Sequence, residues 1–422
     1  MYETGTGTEV SDEEAAFYYM RASKRGDPFV SLELGNMYSA GRGVPKSLEK
    51  AAEWYRAGAE AGDGECQALL GYAYETGSGV PQSYEDAMEW YLKSAGSGYG
   101  WAMGEIGQMY ETGRGAGKSY EEAAKWYHRG AESGHAWSQF KLGYAYEKGR
   151  GVPRSFTDAA KWYMASANQG NAKAQACLGV LYMNGQGVPK FYPEAAKWLR
   201  MAADQGNSLG QWLLADLYET GQGVFQSYEE AARLFSLAAE QGGAYPKYRL
   251  GKLYEAGNGV PKSYDEAFRL YSEAAELGNT SAAARLGYFY ERGLGTEQSP
   301  ETAAEWYSKA AEKGDSWAMM RLADLYYFGK GVPKSYDEAF RLFSSSAERG
   351  NSFAQYSLGY MYRHGQGTEK SDELAAEWYS KAADQGDERA AAELEKMKGR
   401  QNGARSRPGL PFFPGFPPES NT

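Results

Sequence analysis

An all-α fold built of repeated helix-turn-helix units is predicted by three features of the 422-residue chain. A small residue recurs every 36 positions with no insertion, at Gly35, Gly71, Gly107, Gly143, Gly179, Ala215, Gly251, Gly287, Ala323 and Gly359. Three residues after each stands a tyrosine, from Tyr38 to Tyr362 without exception, and a glycine-bearing loop follows each tyrosine. A unit this short cannot enclose a core, so its apolar faces must stack against copies of itself. The expected architecture is a superhelical α-solenoid of about ten repeats.

The numbering begins inside a repeat. Tyr2, Gly5 and Gly7 occupy the slots of Tyr38, Gly41 and Gly43, so residues 1–10 read as the end of a truncated first repeat and its loop. A leader upstream of Met1 therefore stays an open question. Residues 11–386 hold the repeats. Residues 387–398 keep Ala390, Leu394 and Met397 on an apolar stripe but place Glu395 and Lys398 at the glycine and tyrosine slots, as a capping helix with a polar outer face requires. Residues 399–422 are rich in Pro, Gly and Phe and are predicted to be disordered. The tail reads either as a plain terminal segment or, through Leu410, Phe412, Phe413 and Phe416, as a linear binding motif.

Within a repeat, residues such as Ala174, Leu178, Leu181 and Tyr182 step along one apolar helical face. A loop such as Gly149, Gly151, Val152 and Pro153 ends that helix, since glycine suits a terminus that needs positive φ. The second helix starts at a serine able to accept from the unpartnered first-turn amides. Ser119 with Glu122, Ser227 with Glu230, Ser263 with Glu266 and Ser335 with Glu338 have capping-box spacing, and Ser299 precedes Pro300. The second helix buries a stripe such as Ala159, Ala160, Trp162 and Tyr163, and Gly170 closes it. Glycine inside a helix costs about 1 kcal/mol relative to alanine. Slots restricted to Gly or Ala therefore predict helix backbones too close for a larger side chain. Seven tryptophans, Trp54, Trp90, Trp126, Trp162, Trp198, Trp306 and Trp378, share one second-helix slot and are expected in the core.

The pattern A-x-x-x-L-G-x-x-Y-x-x-G-x-G-V, met from Ala174 to Val188, and A-A-x-W-Y-x-x-A-A-x-x-G, nearly met from Ala195 to Gly206, resemble the Sel-one-like repeats, a subclass of the tetratricopeptide-like solenoids. The resemblance covers about residues 1–398. It implies a right-handed superhelical adaptor of a kind abundant in bacteria, used in complex assembly, signalling, secretion and protein quality control. It also includes periplasmic members of alginate export systems, which keeps a carbohydrate-binding or export-associated role as the alternative. Some secreted relatives carry a cysteine pair in each repeat and have been linked to β-lactam binding. Cys66 and Cys177 stand alone in different slots, so that reading falls away.

The net charge of -10 opposes non-specific binding to nucleic acid, and neither a nucleic-acid partner nor membrane insertion is expected. Two cysteines fit a reducing compartment, and a cytoplasmic location is expected. No catalytic residue, metal site or cofactor is expected. Ser47 with Lys50 and Ser138 with Lys141 match S-x-x-K, but Ser47 reads as a helix cap and no partner motif accompanies either. His128, His135 and His364 are too few for a convincing metal site, and the sequon at Asn279 reads as a helix-start turn.

Function must then lie on positions the repeat leaves free. On the first helix the slots of Phe29, Glu33, Asn36 and Ala40 step by 4, 3 and 4 and share a face beside the packed one. In tetratricopeptide-like solenoids the corresponding face lines the concave groove. Its first slot holds six aromatics, Phe29, Trp101, Trp137, Tyr245, Trp317 and Phe353, and its third holds Tyr72, Tyr144, Tyr288 and Tyr360. They read either as anchors for an extended peptide or sugar chain, or as packing against the neighbouring second helix. The second slot places Arg249, Arg285 and Arg321 in a column that could read carboxylate or phosphate, or else be solvated surface neutralised by Asp216 and Asp324. The expectation is a non-enzymatic scaffold holding a segment of a protein partner, an acidic one if the arginine column is its reader.

Overall fold

The computed structural model describes residues 11–23 and 30–401, and within them lie 22 helices and no strand. The second helices of the repeats are α1 (Asp12–Ser23), α3 (Leu48–Glu60), α5 (Tyr84–Gly96), α7 (Tyr120–Glu132), α9 (Phe156–Asn168), α11 (Tyr192–Asp204), α13 (Tyr228–Glu240), α15 (Tyr264–Glu276), α17 (Pro300–Glu312), α19 (Tyr336–Glu348) and α21 (Asp372–Ala383). The first helices are α2 (Val30–Ala40), α4 (Gly64–Thr76), α6 (Gly100–Thr112), α8 (Ala136–Lys148), α10 (Ala172–Asn184), α12 (Ser208–Thr220), α14 (Ala244–Ala256), α16 (Thr280–Arg292), α18 (Ser316–Phe328) and α20 (Ser352–His364), followed by α22 (Glu388–Gln401). The truncated repeat at residues 1–10, Phe29 and the motif at Leu410 to Phe416 lie outside the described residues.

Contacts divide the chain into two compact units, residues 1–238 and 239–422. In the first, α2 with α3, α4 with α5, α6 with α7, α8 with α9 and α10 with α11 form hairpins, each stacked on the next. In the second, α14 with α15, α16 with α17, α18 with α19 and α20 with α21 do the same, and α22 packs on α21 through buried Ala390.

Serine caps close the second helices. Ser83 accepts from the Asp86 amide at 3.1 Å, and Ser263 from the Glu266 amide at 3.2 Å. Asn279 caps α16 by accepting from Ala282, so its side chain is spent on the helix start. Gly149 ends α8 in the left-handed region at φ 67. Gly151 is also left-handed, and a Cβ there would fall on the backbone carbonyl of Tyr120 at the start of α7. That glycine therefore sets how closely consecutive repeats approach.

The small-residue slot has a different cause from the one expected. A Cβ would lie 2.8 Å from the Tyr91 ring at Gly71, 2.7 Å from Tyr163 at Gly143 and 2.5 Å from Tyr307 at Gly287. A tyrosine ring laid across the helix excludes larger side chains, and the nearest backbone oxygen lies farther off, at 3.2 Å for Gly71 and Gly143. The two slots that hold alanine, Ala215 and Ala323, belong to repeats whose ring is Phe235 or Phe343. The tryptophans also depart from expectation. Trp198 is buried, but Trp90, Trp306 and Trp378 keep one face half-open under the ammonium of the lysine one turn on, at 3.9, 4.0 and 4.0 Å. The tyrosine that follows the tryptophan is the core residue, with Tyr91, Tyr163, Tyr307 and Tyr379 fully buried, as is Tyr271 at the same slot after Leu270.

Candidate functional site

The glutamate four residues after the small slot organises the free face. Glu75, Glu111 and Glu147 in the first unit accept from the hydroxyls of Tyr91, Tyr127 and Tyr163 at 2.9, 2.6 and 2.7 Å. Glu255 and Glu291 in the second accept from Tyr271 and Tyr307 at 2.7 and 2.8 Å. Each such glutamate also faces the second slot of the following repeat, 30 residues on. There Lys141 pairs with Glu111 at 2.5 Å, Arg285 with Glu255 and Arg321 with Glu291. At the cap the polarity reverses, and Arg363 pairs with Glu393 of α22. The result is a set of ion pairs anchored on buried tyrosines and joining one hairpin to the next.

This corrects the arginine column. Arg321 is only 3% exposed, and its guanidinium lies 6.0 Å from the Tyr288 ring and 5.9 Å from Trp317. Arg285 is half-buried, paired with Glu255 and 5.0 Å from Tyr288. Arg249 donates to the Tyr245 hydroxyl. Because the Arg321 charge is desolvated and already matched, reversing it to glutamate would break the stacking of hairpins rather than simply release a partner. The sequence could not reveal this pairing, because it joins slots in different repeats. Of the two aspartates expected to neutralise the column, Asp324 is buried, and burial pushes its carboxyl up to about 7, with Glu291 adding to the rise and Arg321 opposing it.

The aromatic slots fall into local groups. In the first unit Tyr72, 48% exposed, and half-buried Trp101 and Trp137 line one open cleft of about 420 Å³ with Glu75, Thr76, Glu105, Gln108 and His135. The Tyr72 and Trp101 rings are 6.1 Å apart, and the edge of the Tyr91 ring meets Trp101 at 6.2 Å. Trp101 Nε1 donates to Glu105 at 2.8 Å. Burial first, then the Glu75 carboxylate, raises the Glu105 carboxyl above its ordinary value, against the Trp101 hydrogen bond and the pull of Lys141. Burial lowers the pKa of His135, whose Nδ1 lies 2.9 Å from the hydroxyl of Ser138, the buried serine of the S-x-x-K match. Tyr144 stands apart from this cleft, beside Lys148 and Arg150.

In the second unit Tyr288 and Trp317 are 6.1 Å apart and covered by Arg285 and Arg321. Phe353 carries the Arg389 guanidinium at 4.9 Å, Tyr360 stacks on His364 at 3.9 Å, and Tyr245 stays exposed. Glu75 and Glu105 were not singled out from the sequence, and His135 was weighed there only as a metal ligand. The recurrence of glutamate at 75, 111, 147, 219, 255 and 291 was the signal that could have found the first.

Among the described residues no cluster of His, Cys, Asp and Glu has the makings of a metal site, and no helix is long and apolar enough to cross a membrane. The Sel1 repeat model matches eleven successive stretches from residues 1–27 to residues 352–387. A protective antigen of uropathogenic Escherichia coli strains, c5321, displays an SLR fold; it is 34% identical to this chain over 92% of it and 90% of the antigen, with a TM-score of 0.62. A Sel1 repeat protein from Oxalobacter formigenes is 27% identical over 82% of this chain and 89% of its own, with a TM-score of 0.55. No curated protein sequence matches the chain.

Proposed function

This chain belongs to the Sel1 repeat family, whose members generally mediate protein–protein interaction, and we propose that it is a non-enzymatic scaffold that holds a segment of a partner polypeptide on the exposed face of its first helices. The observation that supports this reading is the cleft at Tyr72, Trp101 and Trp137. Aromatic rings from three successive repeats border it, Tyr72 exposed and Trp101 and Trp137 half-buried, with Trp101 also packed against the core at Tyr91. Side chains on these helices are held by buried tyrosines beneath them, so little ordering remains to be done when a partner docks.

The test is capture by chemical cross-linking in extracts of the source cells, with Tyr72→Ala and Trp137→Ala as controls. The expected result is a discrete cross-linked partner that both substitutions remove while the far-ultraviolet circular dichroism stays unchanged. A polysaccharide that shifts tryptophan emission, with no protein captured, would replace this reading with the carbohydrate one.

A further inference from the structure

We propose that the cleft between α4 and α6 takes the guanidinium of an arginine side chain from the partner polypeptide; this rests on the scaffold reading above and names the chemistry of the segment it holds. The protein contains its own template for that occupant. Tyr72, Glu75, Trp101 and Glu105 stand at the same repeat positions as Tyr288, Glu291, Trp317 and Arg321, six repeats further along. The two corners are built alike. The paired rings are 6.1 Å apart in both, a buried tyrosine meets the indole edge-on at 6.2 Å and 5.8 Å, and the glutamate accepts from that tyrosine at 2.9 Å and 2.8 Å.

They differ at one group. In the second unit the guanidinium of Arg321 fills the corner, paired with Glu291 and close to both rings. In the first unit a shorter side chain of opposite charge, Glu105, stands there, and the open cleft takes the place of the guanidinium. Glu75 and Glu105 receive hydrogen bonds from neutral groups, Tyr91 and Trp101, while Lys141 is matched to Glu111 at 2.5 Å. Among the junctions whose two facing slots both lie within the described residues, this is the one place where acid faces acid; the others hold an acid and a base, one acid with a cysteine, or uncharged residues. Two half-buried carboxylates under two aromatic rings form an environment that a planar, weakly hydrated cation can satisfy through ion pairing and ring stacking together. The Glu105 carboxyl is raised by its burial first and by the facing Glu75 carboxylate second.

The test is calorimetric titration of the full chain with the capped peptide acetyl-Gly-Gly-Arg-Gly-Gly-amide and with its citrulline counterpart, which keeps the shape and loses the charge. Saturable binding of the arginine peptide is expected, with citrulline at least roughly tenfold weaker. Glu105→Arg should abolish binding, because the inserted guanidinium occupies the corner as Arg321 does. Glu60→Arg, the same charge change at an exposed residue of α3, should leave it intact. Equal binding of citrulline, undiminished binding by Glu105→Arg, an equal loss with Glu60→Arg, or no saturable binding would each overturn the proposal. Cross-linked capture of a partner that survives Glu105→Arg would discard the arginine site and leave the scaffold reading standing. Loss of all capture by the wild-type chain would discard the scaffold reading itself.

Discussion

The corner at Tyr72 and the corner at Tyr288 are the same piece of architecture with opposite electrostatics. In the second unit Glu291, Arg321 and Asp324 sit beside the rings; in the first, Glu75, Glu105 and Gln108 take the same positions. The backbone, the ring geometry and the tyrosine anchor are indifferent to that exchange. Stacking of hairpins therefore does not need a cation at the junction, but a cation once buried there becomes part of the core. The difference separates positions that hold the solenoid together from positions left for a partner.

The sharpest way to break the comparison is to remove the cation where it is buried. Arg321→Met leaves Glu291 and Asp324 without their counter-charge, and losing one partner of a buried pair costs about 3–5 kcal/mol. Hydrogen exchange in α16 and α18 should accelerate accordingly. Glu105→Met removes one of two like charges and should leave exchange in α4 and α6 unchanged or slower. Equal acceleration in both would show that the two corners are not alternatives.

Next in size is the pH response confined to the second corner. The folded-state value of Asp324, about 7, lies above the ordinary 3.8, so the folded form holds the proton more tightly than the unfolded chain. Stability from this group is complete below about pH 4 and is lost as pH rises toward 7, by roughly 2–4 kcal/mol. Glu291 deepens the loss, while Arg321, Lys330 and Arg389 limit it. Asp324→Asn should remove the slope and slow exchange in α18 at pH 8. A slope that persists in the variant would assign the effect to another group.

How far the sequence carries these distinctions depends on the range of the contact. The 36-residue spacing, the serine caps and the glycine ends act within one hairpin, and the helices follow them closely. The aromatic slots were also legible, because the first slot, which holds Trp101 and Trp137, and the third, which holds Tyr72, are seven residues apart within each first helix and so share a face. What periodicity within a helix cannot show is a bond from one repeat to the next. Arg321 read as a charge on the free face, and Glu291 drew no notice, until the stacking placed the two together. The same blindness made tryptophan, the larger residue, look like the core when the tyrosine behind it is the one pressed onto glycine.

That last contact gives a third effect, expected in both units alike. Gly287→Ala puts a methyl group 2.5 Å from the Tyr307 ring and should cost about 1–3 kcal/mol as overpacking. Tyr307→Phe releases the ring from Glu291, and the chain itself pairs alanine with phenylalanine at Ala215 with Phe235 and at Ala323 with Phe343. The double variant should therefore be more stable than the sum of the singles predicts, as a double-mutant cycle by thermal unfolding would show. Strict additivity would mean that the hydroxyl anchor has no part in fixing the ring against the helix.

The smallest effect tests the comparison most directly. Glu105→Arg rebuilds in the first unit the group that the second unit already carries. The new guanidinium removes a like-charge contact with Glu75, gains an ion pair and lies over Tyr72 and Trp101, while it gives up side-chain freedom and breaks the Trp101 hydrogen bond to Glu105. Half-exposed charge pairs and ring–cation contacts contribute about 0.5–1 kcal/mol each, and the ordering of a long side chain takes back much of that. A net gain near 1 kcal/mol is expected, seen as a rise of a few degrees in the midpoint of thermal unfolding and as slower exchange at the ends of α4 and α6. A loss of stability of the same size would mean that the first corner cannot accept a guanidinium in the geometry of Arg321, because the template would have failed inside the protein that supplied it.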